Sequence, residues 1–316
     1  MQHILAMIVP FILGIIIMPV IMKLAIKLKF TDKPTKRKQH KKETPLCGGL
    51  TLYIVFFIAY FLFVKNDFKQ QIIIFLSSTL ILLIGLVDDY YKTRLKEFPI
   101  FPRLIVQLLA AILVFNADIA FRGFTNPFTG EFVWLSTTIQ FVLTITWIFG
   151  VTTVINWSDG MDGLAGGISF ISAITFFIAA IILKQDISAA ISIVLAGSIL
   201  GFLYYNRYPA KVFMGDSGAN LLGFILSITA LDGAFKQATV LSLFIPILAL
   251  AVPIFDNIFV IFKRFSEGKP VYQADRSQIH FRLEEKGFTP KQVVNYIMII
   301  SFIFSAISII LLLIKI

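Results

Sequence analysis

The sequence predicts an all-α integral membrane protein, a bundle of about ten transmembrane helices with the ninth long and kinked and both termini outside. Three observations predict it. Hydrophobic residues fill 58% of the 316 positions, charged residues only 15%, and mean hydropathy is +0.87, more apolar surface than a water-soluble core hides. The apolar residues gather in long runs. The Lys and Arg residues crowd into alternate connections between those runs. The whole chain, 1–316, reads as one polytopic membrane domain, with no repeat, low-complexity tract or separate soluble domain.

The first run, roughly 3–28, continues to Leu28 without a small-residue cleavage site, so it is expected to stay as a helix. The others lie at roughly 47–64, 71–87, 101–117, 138–156, 164–183, 188–205, 218–231, 237–262 and 292–314. Gly48 and Gly49 open the second and permit close helix approach. Pro246 and Pro253 lie in the ninth, where each removes a helix hydrogen bond and crowds the preceding turn, so a kink is expected. The loops on the basic side are expected at about 29–46, 88–100, 157–163, 206–217 and 263–291.

Charge orients the bundle. The connections after runs 1, 3, 7 and 9 hold 20 Lys and Arg residues, against 6 on the other side (Lys65, Lys69, Arg122, Lys184, Lys236 and Lys315), so the richer side faces the cytoplasm. The net charge of +10 is therefore mainly a topology signal, suited also to anionic headgroups and nucleotide phosphates. Spread over short loops, it argues against nucleic-acid binding. The single cysteine, Cys47, excludes an internal disulfide.

Four acidic motifs sit at the ends of apolar runs on that same side: LVDDYY (Asp88, Asp89), NWSDGMDGLAGG (Asp159, Asp162), VFMGDSGAN (Asp216) and VPIFDN (Asp256). Carboxylates near hydrocarbon are costly unless they meet one another, a cavity or a cation. A one-sided cluster points to a divalent cation and a phosphate-bearing substrate at the bilayer surface. The Asp pair is either a polar helix stop or a functional pair, and it lacks the second acid of a DDxxD diphosphate motif. Asn156, Asp159 and Asp162 are spaced by three, but Gly160 and Gly163 favour a tight loop with open N–H groups over a regular helix. Oxygen acceptors beside open amides suit a nucleotide. Asp216 is either an N-cap or a Mg²⁺ ligand beside a helix N-terminus that faces a diphosphate. Phe213 can stack on a base, and Asn206 shares its loop. Asp256 is either a functional group within a span or the partner of Lys263 or Arg264.

In the last basic loop, Asp275 and Gln278 fit a capping box and Gly287 a helix stop. The short helix between them carries Arg276 and His280 one turn apart. His280 and Arg282 can hold phosphate or sugar, or the helix is a solvated amphipathic element. In the first basic loop, lysines that anchor topology can also reach an anionic substrate, Lys42 among them.

In this order, DKPTKRKQHKKETPLCGG, IGLVDDYY, NWSDGMDGLAGG, NRYPAKVFMGDSGA, VPIFD and the final His-bearing loop resemble the polyprenyl-phosphate N-acetylhexosamine-1-phosphate transferases, the MraY, WecA and TagO group. The resemblance covers nearly the whole chain. It implies a Mg²⁺-dependent transfer (with Mn²⁺ a substitute) of sugar-1-phosphate from a UDP-sugar to undecaprenyl phosphate. UMP would be released at the cytoplasmic face of the bacterial inner membrane, by an enzyme that can form a homodimer. Asp88 then matches the acid that deprotonates the lipid phosphate, Asp89 its neighbour near the metal, and Asp216 the principal Mg²⁺ ligand. Asn156 matches a polar residue at the metal and diphosphate. Asp159 joins the catalytic acids. Asp162 matches a uracil contact, Phe213 its stacking partner, Asn206 a further nucleotide contact, Lys42 the first-loop lysine and His280 the histidine motif.

The chain departs from the family at Gln278-Ile279-His280-Phe281, where relatives carry a histidine cluster. This counts against a MurNAc-pentapeptide donor and makes GlcNAc the default sugar. A direct displacement and a covalent aspartyl-phosphate are both open. The rival from another class, a cation- or proton-coupled secondary transporter, requires midplane acids in broken helices and an internal repeat.

Overall fold

The computed structural model describes residues 1–34, 43–126, 128–233, 240–270 and 276–314. It is a helical membrane protein. Helices α1 (Gln2–Lys27), α2 (Gly48–Phe63), α3 (Phe68–Thr93), α4 (Ile100–Phe115), α5 (Thr137–Trp157), α6 (Leu164–Ile182), α7 (Asp186–Asn206) and α8 (Gly215–Asp232) form the first part. Helices α9 (Val240–Ala249), α10 (Ala251–Ser266), α11 (Ile279–Glu285) and α12 (Pro290–Ile314) complete it. Among the described residues, two small antiparallel strand pairs interrupt the all-α pattern: β1 (Thr31–Asp32) with β2 (Thr44–Pro45), and β3 (Gly123–Thr125) with β4 (Phe132–Trp134).

Among the described residues, six helices are long and apolar enough to cross a membrane, seven if α9 and α10 form one bent span. The expected ten is not met by that test. Helices α2 and α4 have 16 residues each, roughly 24 Å at the helical rise and short of a bilayer core of about 30 Å. The expected ninth span is two helices meeting at 76°. The break has a local cause. Pro253 has no N–H for the carbonyl of Ala249, four residues back. The Ser172 hydroxyl of α6 donates to that carbonyl instead, at 2.8 Å.

Helix α8 is the hub. Every residue from Ser217 to Asp232 is buried, and α2, α3, α5, α6 and α7 all pack on it. Small residues permit the approach: a Cβ at Gly49 would collide with the backbone of Gly218, and one at Gly85 with that of Ser217. Polar ties join helices as well, one of them on α8. The Trp147 indole of α5 donates to the Ser227 carbonyl at 3.2 Å, and the Tyr205 hydroxyl of α7 donates to Ile15 of α1 at 2.9 Å.

One expected loop boundary moves by more than a turn. Helix α3 runs on to Thr93, so Asp88 and Asp89 lie in its last turns and not in a loop from 88. Asn156 lies at the end of α5, as the run 138–156 places it, and Asp159 and Asp162 occupy the turn before α6.

Candidate active site

The site forms where the C-terminal ends of α3, α5 and α7 meet the N-terminal ends of α4, α6 and α8. Its centre is Asp216, in the first turn of α8. Lys92 Nζ lies 2.6 Å from Asp216 Oδ1, and Asn156 Nδ2 donates to the same oxygen at 3.3 Å. Arg103 Nη1 donates to Asp88 Oδ2 at 2.5 Å and lies 3.6 Å from Asp216 Oδ2. Residues from three helices thus converge on this one carboxylate of α8: Lys92 from α3, Arg103 from α4, which also holds Asp88 of α3, and Asn156 from α5.

Lys92 and Arg103 count in the sequence only as topology charges. A usable signal lay in the spacing. Lys92 follows Asp88 by four and Asp89 by three, which puts all three on one face once α3 continues past residue 87.

Asp89 lies directly beside Asp216. It is fully buried, and its carboxylate accepts from Asp216 N at 2.8 Å, Ser217 N at 3.1 Å and the Ser217 hydroxyl at 2.7 Å. It therefore caps α8 from another helix, supplying the acceptor that an N-cap side chain ordinarily supplies. The N-cap residue itself, Met214, makes no side-chain cap bond, so Asp216 is not the cap the sequence allowed. Gly215 completes the turn at φ +72, a conformation that costs other residues strain, and a Cβ there would strike the Asp89 carboxylate.

The SDGMDG turn lies beside this centre. Burial, and then the Asp216 carboxylate, push the Asp159 carboxyl up to about 7, with Lys92 opposing. Asp162 Oδ2 accepts from Ala210 N at 2.9 Å. Asn206 is buried with both ends of its amide engaged. Oδ1 accepts from Gly163 N at 2.9 Å, and Nδ2 donates to the Val212 carbonyl at 2.8 Å. Asn206 thus braces the two loops together. Phe213 N donates to the Pro45 carbonyl, and its own carbonyl accepts from Gly48 N, so strand β2 and the start of α2 fix its backbone. Its ring is half-buried. Lys42 lies outside the described residues, as does Asp275.

A third group sits on α10 and α11. The Asp256 carboxylate accepts from Ile279 N at 2.9 Å and from Arg282 Nη2 at 2.6 Å. Its ion-pair partner is Arg282, 26 residues on, and not the expected Lys263 or Arg264. Arg264 instead lies 4.9 Å above the Trp157 ring. His280 is 2% exposed. Burial, and then the Arg276 charge, hold its imidazole down at about 4. Its ring abuts Gly160, where a Cβ would collide with it. Arg276 turns away, pairing with Glu284 at 2.8 Å.

Among the described residues, no three His, Cys, Asp or Glu side chains are grouped to hold a metal by themselves. What the centre offers is oxygen donors from Asp216 and Asn156, ringed by further carboxylates and two cations. Lys92 and Arg103 bring positive charge to within ion-pair distance of Asp216, and Arg103 also to Asp88.

The fold and the cluster together define a helical membrane protein with acids and cations gathered at one helix junction. Residues 71–234 match the model of glycosyl transferase family 4, and the chain belongs to that family. It is 36% identical to a probable undecaprenyl-phosphate N-acetylglucosaminyl 1-phosphate transferase of Bacillus subtilis, over 97% of this chain and 84% of the relative. It is 31% identical to a decaprenyl-phosphate N-acetylglucosaminephosphotransferase of Mycobacterium leprae, over 86% of this chain and 74% of the relative. It is 29% identical to a phospho-N-acetylmuramoyl-pentapeptide-transferase of Clostridium beijerinckii, over 96% and 93%.

Proposed function

We propose that the chain transfers N-acetylglucosamine-1-phosphate from UDP-N-acetylglucosamine to undecaprenyl phosphate, releasing UMP, as the first membrane step of a cell-envelope polymer. The observation that carries this reading is the junction at Asp216, where residues of α3, α4 and α5 converge on the first turn of α8. The Bacillus subtilis relative supports the choice of acceptor and sugar. The 20 to 6 division of basic residues supports ten spans, both termini outside and a site facing the cytoplasm of the bacterial inner membrane. A homodimer is part of the same family reading.

The donor set fits Mg²⁺, with Mn²⁺ a substitute. Asp216 and Asn156 offer hard oxygens, and Lys92 on Asp216 marks a place that already favours positive charge. One or two protein oxygens completed by substrate phosphates is how Mg²⁺ is commonly held. When bound, the ion would draw negative charge from the diphosphate. The remaining work falls to side chains. Lys92 and Arg103 bring two anions together, and most of the rate comes from positioning and charge. Asp88, oriented by Arg103, takes the proton of the lipid phosphate. A lipid phosphate oxygen then attacks the β-phosphorus, the bond to the bridging oxygen breaks, and UMP leaves with that electron pair. One phosphoanhydride replaces another, so the reaction is close to thermoneutral. A covalent aspartyl-phosphate is the alternative route, distinguished by retention instead of inversion at the β-phosphorus. Asp162 and Phe213 contact the uracil, Asp159 and His280 complete the donor side, and Lys42 reaches the substrate from the first loop.

A second reading, a MurNAc-pentapeptide donor, draws on the Clostridium beijerinckii relative. The lone histidine of Gln278-Ile279-His280-Phe281 favours the first. Purified protein with Mg²⁺, undecaprenyl phosphate and a panel of UDP-sugars decides between them. UMP release with UDP-N-acetylglucosamine supports the proposal. Release only with UDP-MurNAc-pentapeptide favours the second reading, and no release with any donor overturns both.

A further inference from the structure

Helix α11 has seven residues, too few to be stable alone in water. Its N-cap residue, Gln278, makes no side-chain cap bond. The missing acceptor comes from α10. Both oxygens of Asp256 lie 2.9 Å from Ile279 N, the first amide of α11, and Oδ1 also takes Arg282 Nη2 at 2.6 Å. The Asp256 side chain is only 8% exposed, and the Arg282 guanidinium lies 4.1 Å above the Phe259 ring of the same α10. A carboxylate this enclosed is strongly held by a backbone amide and a guanidinium together.

Helix α10 is itself fastened to α5. Asn257 Nδ2 donates to the Val154 carbonyl at 3.4 Å, and Arg264 stacks on Trp157. At the other end of the chain of contacts, α11 presses the His280 ring against Gly160, in the turn that follows α5 and carries Asp159 and Asp162. The contacts close a ring: α5 to α10, α10 through Asp256 to α11, and α11 through His280 back to the turn after α5. His280 Nε2 has no hydrogen-bond partner among the described residues, so packing and the Asp256 clasp fix the imidazole.

We infer that Asp256 is a positioning residue, which clasps α11 to α10 and thereby sets His280 against the acidic turn 158–163. It acts through His280 and not on substrate. For its kinetic consequence the inference rests on the proposed transfer; for its structural consequence it does not.

The test has two arms. Hydrogen exchange read by mass spectrometry on the full-length protein in detergent compares wild type, Asp256→Ala and Asp256→Asn. Asp256→Ala is expected to speed exchange in 279–285 and in 158–163 by on the order of 10- to 100-fold, the worth of hydrogen bonds to a buried charge. Exchange in the first half of α5 stays unchanged. Asp256→Asn, which keeps a neutral acceptor, falls between and serves if the alanine variant does not fold. Unchanged exchange in both segments overturns the inference, as does a change confined to 279–285. The second arm is a double-mutant cycle on kcat/KM with His280→Ala. If Asp256 works through His280, the double variant is no worse than the poorer single one; multiplied losses overturn the inference. A wild type that releases no UMP sinks the proposed reaction instead, and the exchange arm still decides the clasp.

Discussion

Replacing Asp89 separates a brace from a reacting group. Three donors end on its carboxylate: Asp216 N at 2.8 Å, Ser217 N at 3.1 Å and Ser217 Oγ at 2.7 Å. In Asp89→Ala all three lose their acceptor inside the protein. Two stranded amides and a hydroxyl that can turn elsewhere amount to a loss of about 3–5 kcal/mol of stability. In Asp89→Asn the amide oxygen keeps the Asp216 N–H and the amide NH₂ donates to Ser217 Oγ. Only the Ser217 N–H is stranded, a loss of about 1–3 kcal/mol. Unfolding of the purified variants in detergent, with UMP release measured on the same samples, gives both quantities. The expected order of stability is wild type, Asn, Ala, with activity falling alongside because Asp216 moves with the first turn of α8. If both variants unfold with wild type while turnover vanishes, Asp89 acts at the reaction and the capping argument is wrong.

Asp216→Ala removes the carboxylate on which Lys92, Arg103 and Asn156 converge; turnover and its metal dependence should both disappear, and full activity would displace the proposed metal site. Asp88→Asn should lower turnover and leave UDP-sugar binding, read by calorimetry, largely intact; loss of binding as the main effect would end its role as base. Gly215→Ala forces a side chain to φ +72 and into the Asp89 carboxylate, so it should cost about 1–3 kcal/mol, read as a lowered unfolding midpoint. His280 titrates at about 4 in the folded protein against an ordinary value of 6.5. The unfolded chain therefore binds the proton first as pH falls. This contribution to stability is full above 6.5, is lost as pH drops from there toward 4, and is flat below. His280→Gln should remove that part of the acid slope, seen by comparing unfolding midpoints across the window.

What the sequence disclosed followed from terms that do not depend on tertiary detail. Hydrocarbon excludes charge, so the apolar runs and the placing of Asp88, Asn156 and Asp216 at the same end were readable one residue at a time. The misses share a cause. A carboxylate does not announce which amide it will cap, and Asp89 reaches α8 across 127 residues while Asp256 reaches α11 across 23. Local spacing offered Asp216 as a cap and Lys263 or Arg264 as the partner of Asp256. The packing of α3 on α8, made possible by Gly85, decided the first otherwise, and the seating of α11 on α10 the second. The resemblance makes Asn206 a nucleotide contact; only the backbone placement of Gly163 and Val212 reveals that its amide also ties two loops together. Lys92 and Arg103 were hidden by a stronger signal of the same sign, the topology charges around them.

The most direct test of the proposed chemistry is to bind Mn²⁺ together with a UDP-sugar and locate the ion by its anomalous scattering in crystals. The account predicts one ion against the Asp216 carboxylate with Asn156 beside it and the diphosphate on its open side, gone in Asp216→Ala. An ion settled away from the first turn of α8, or one that stays in place in that variant, would contradict it.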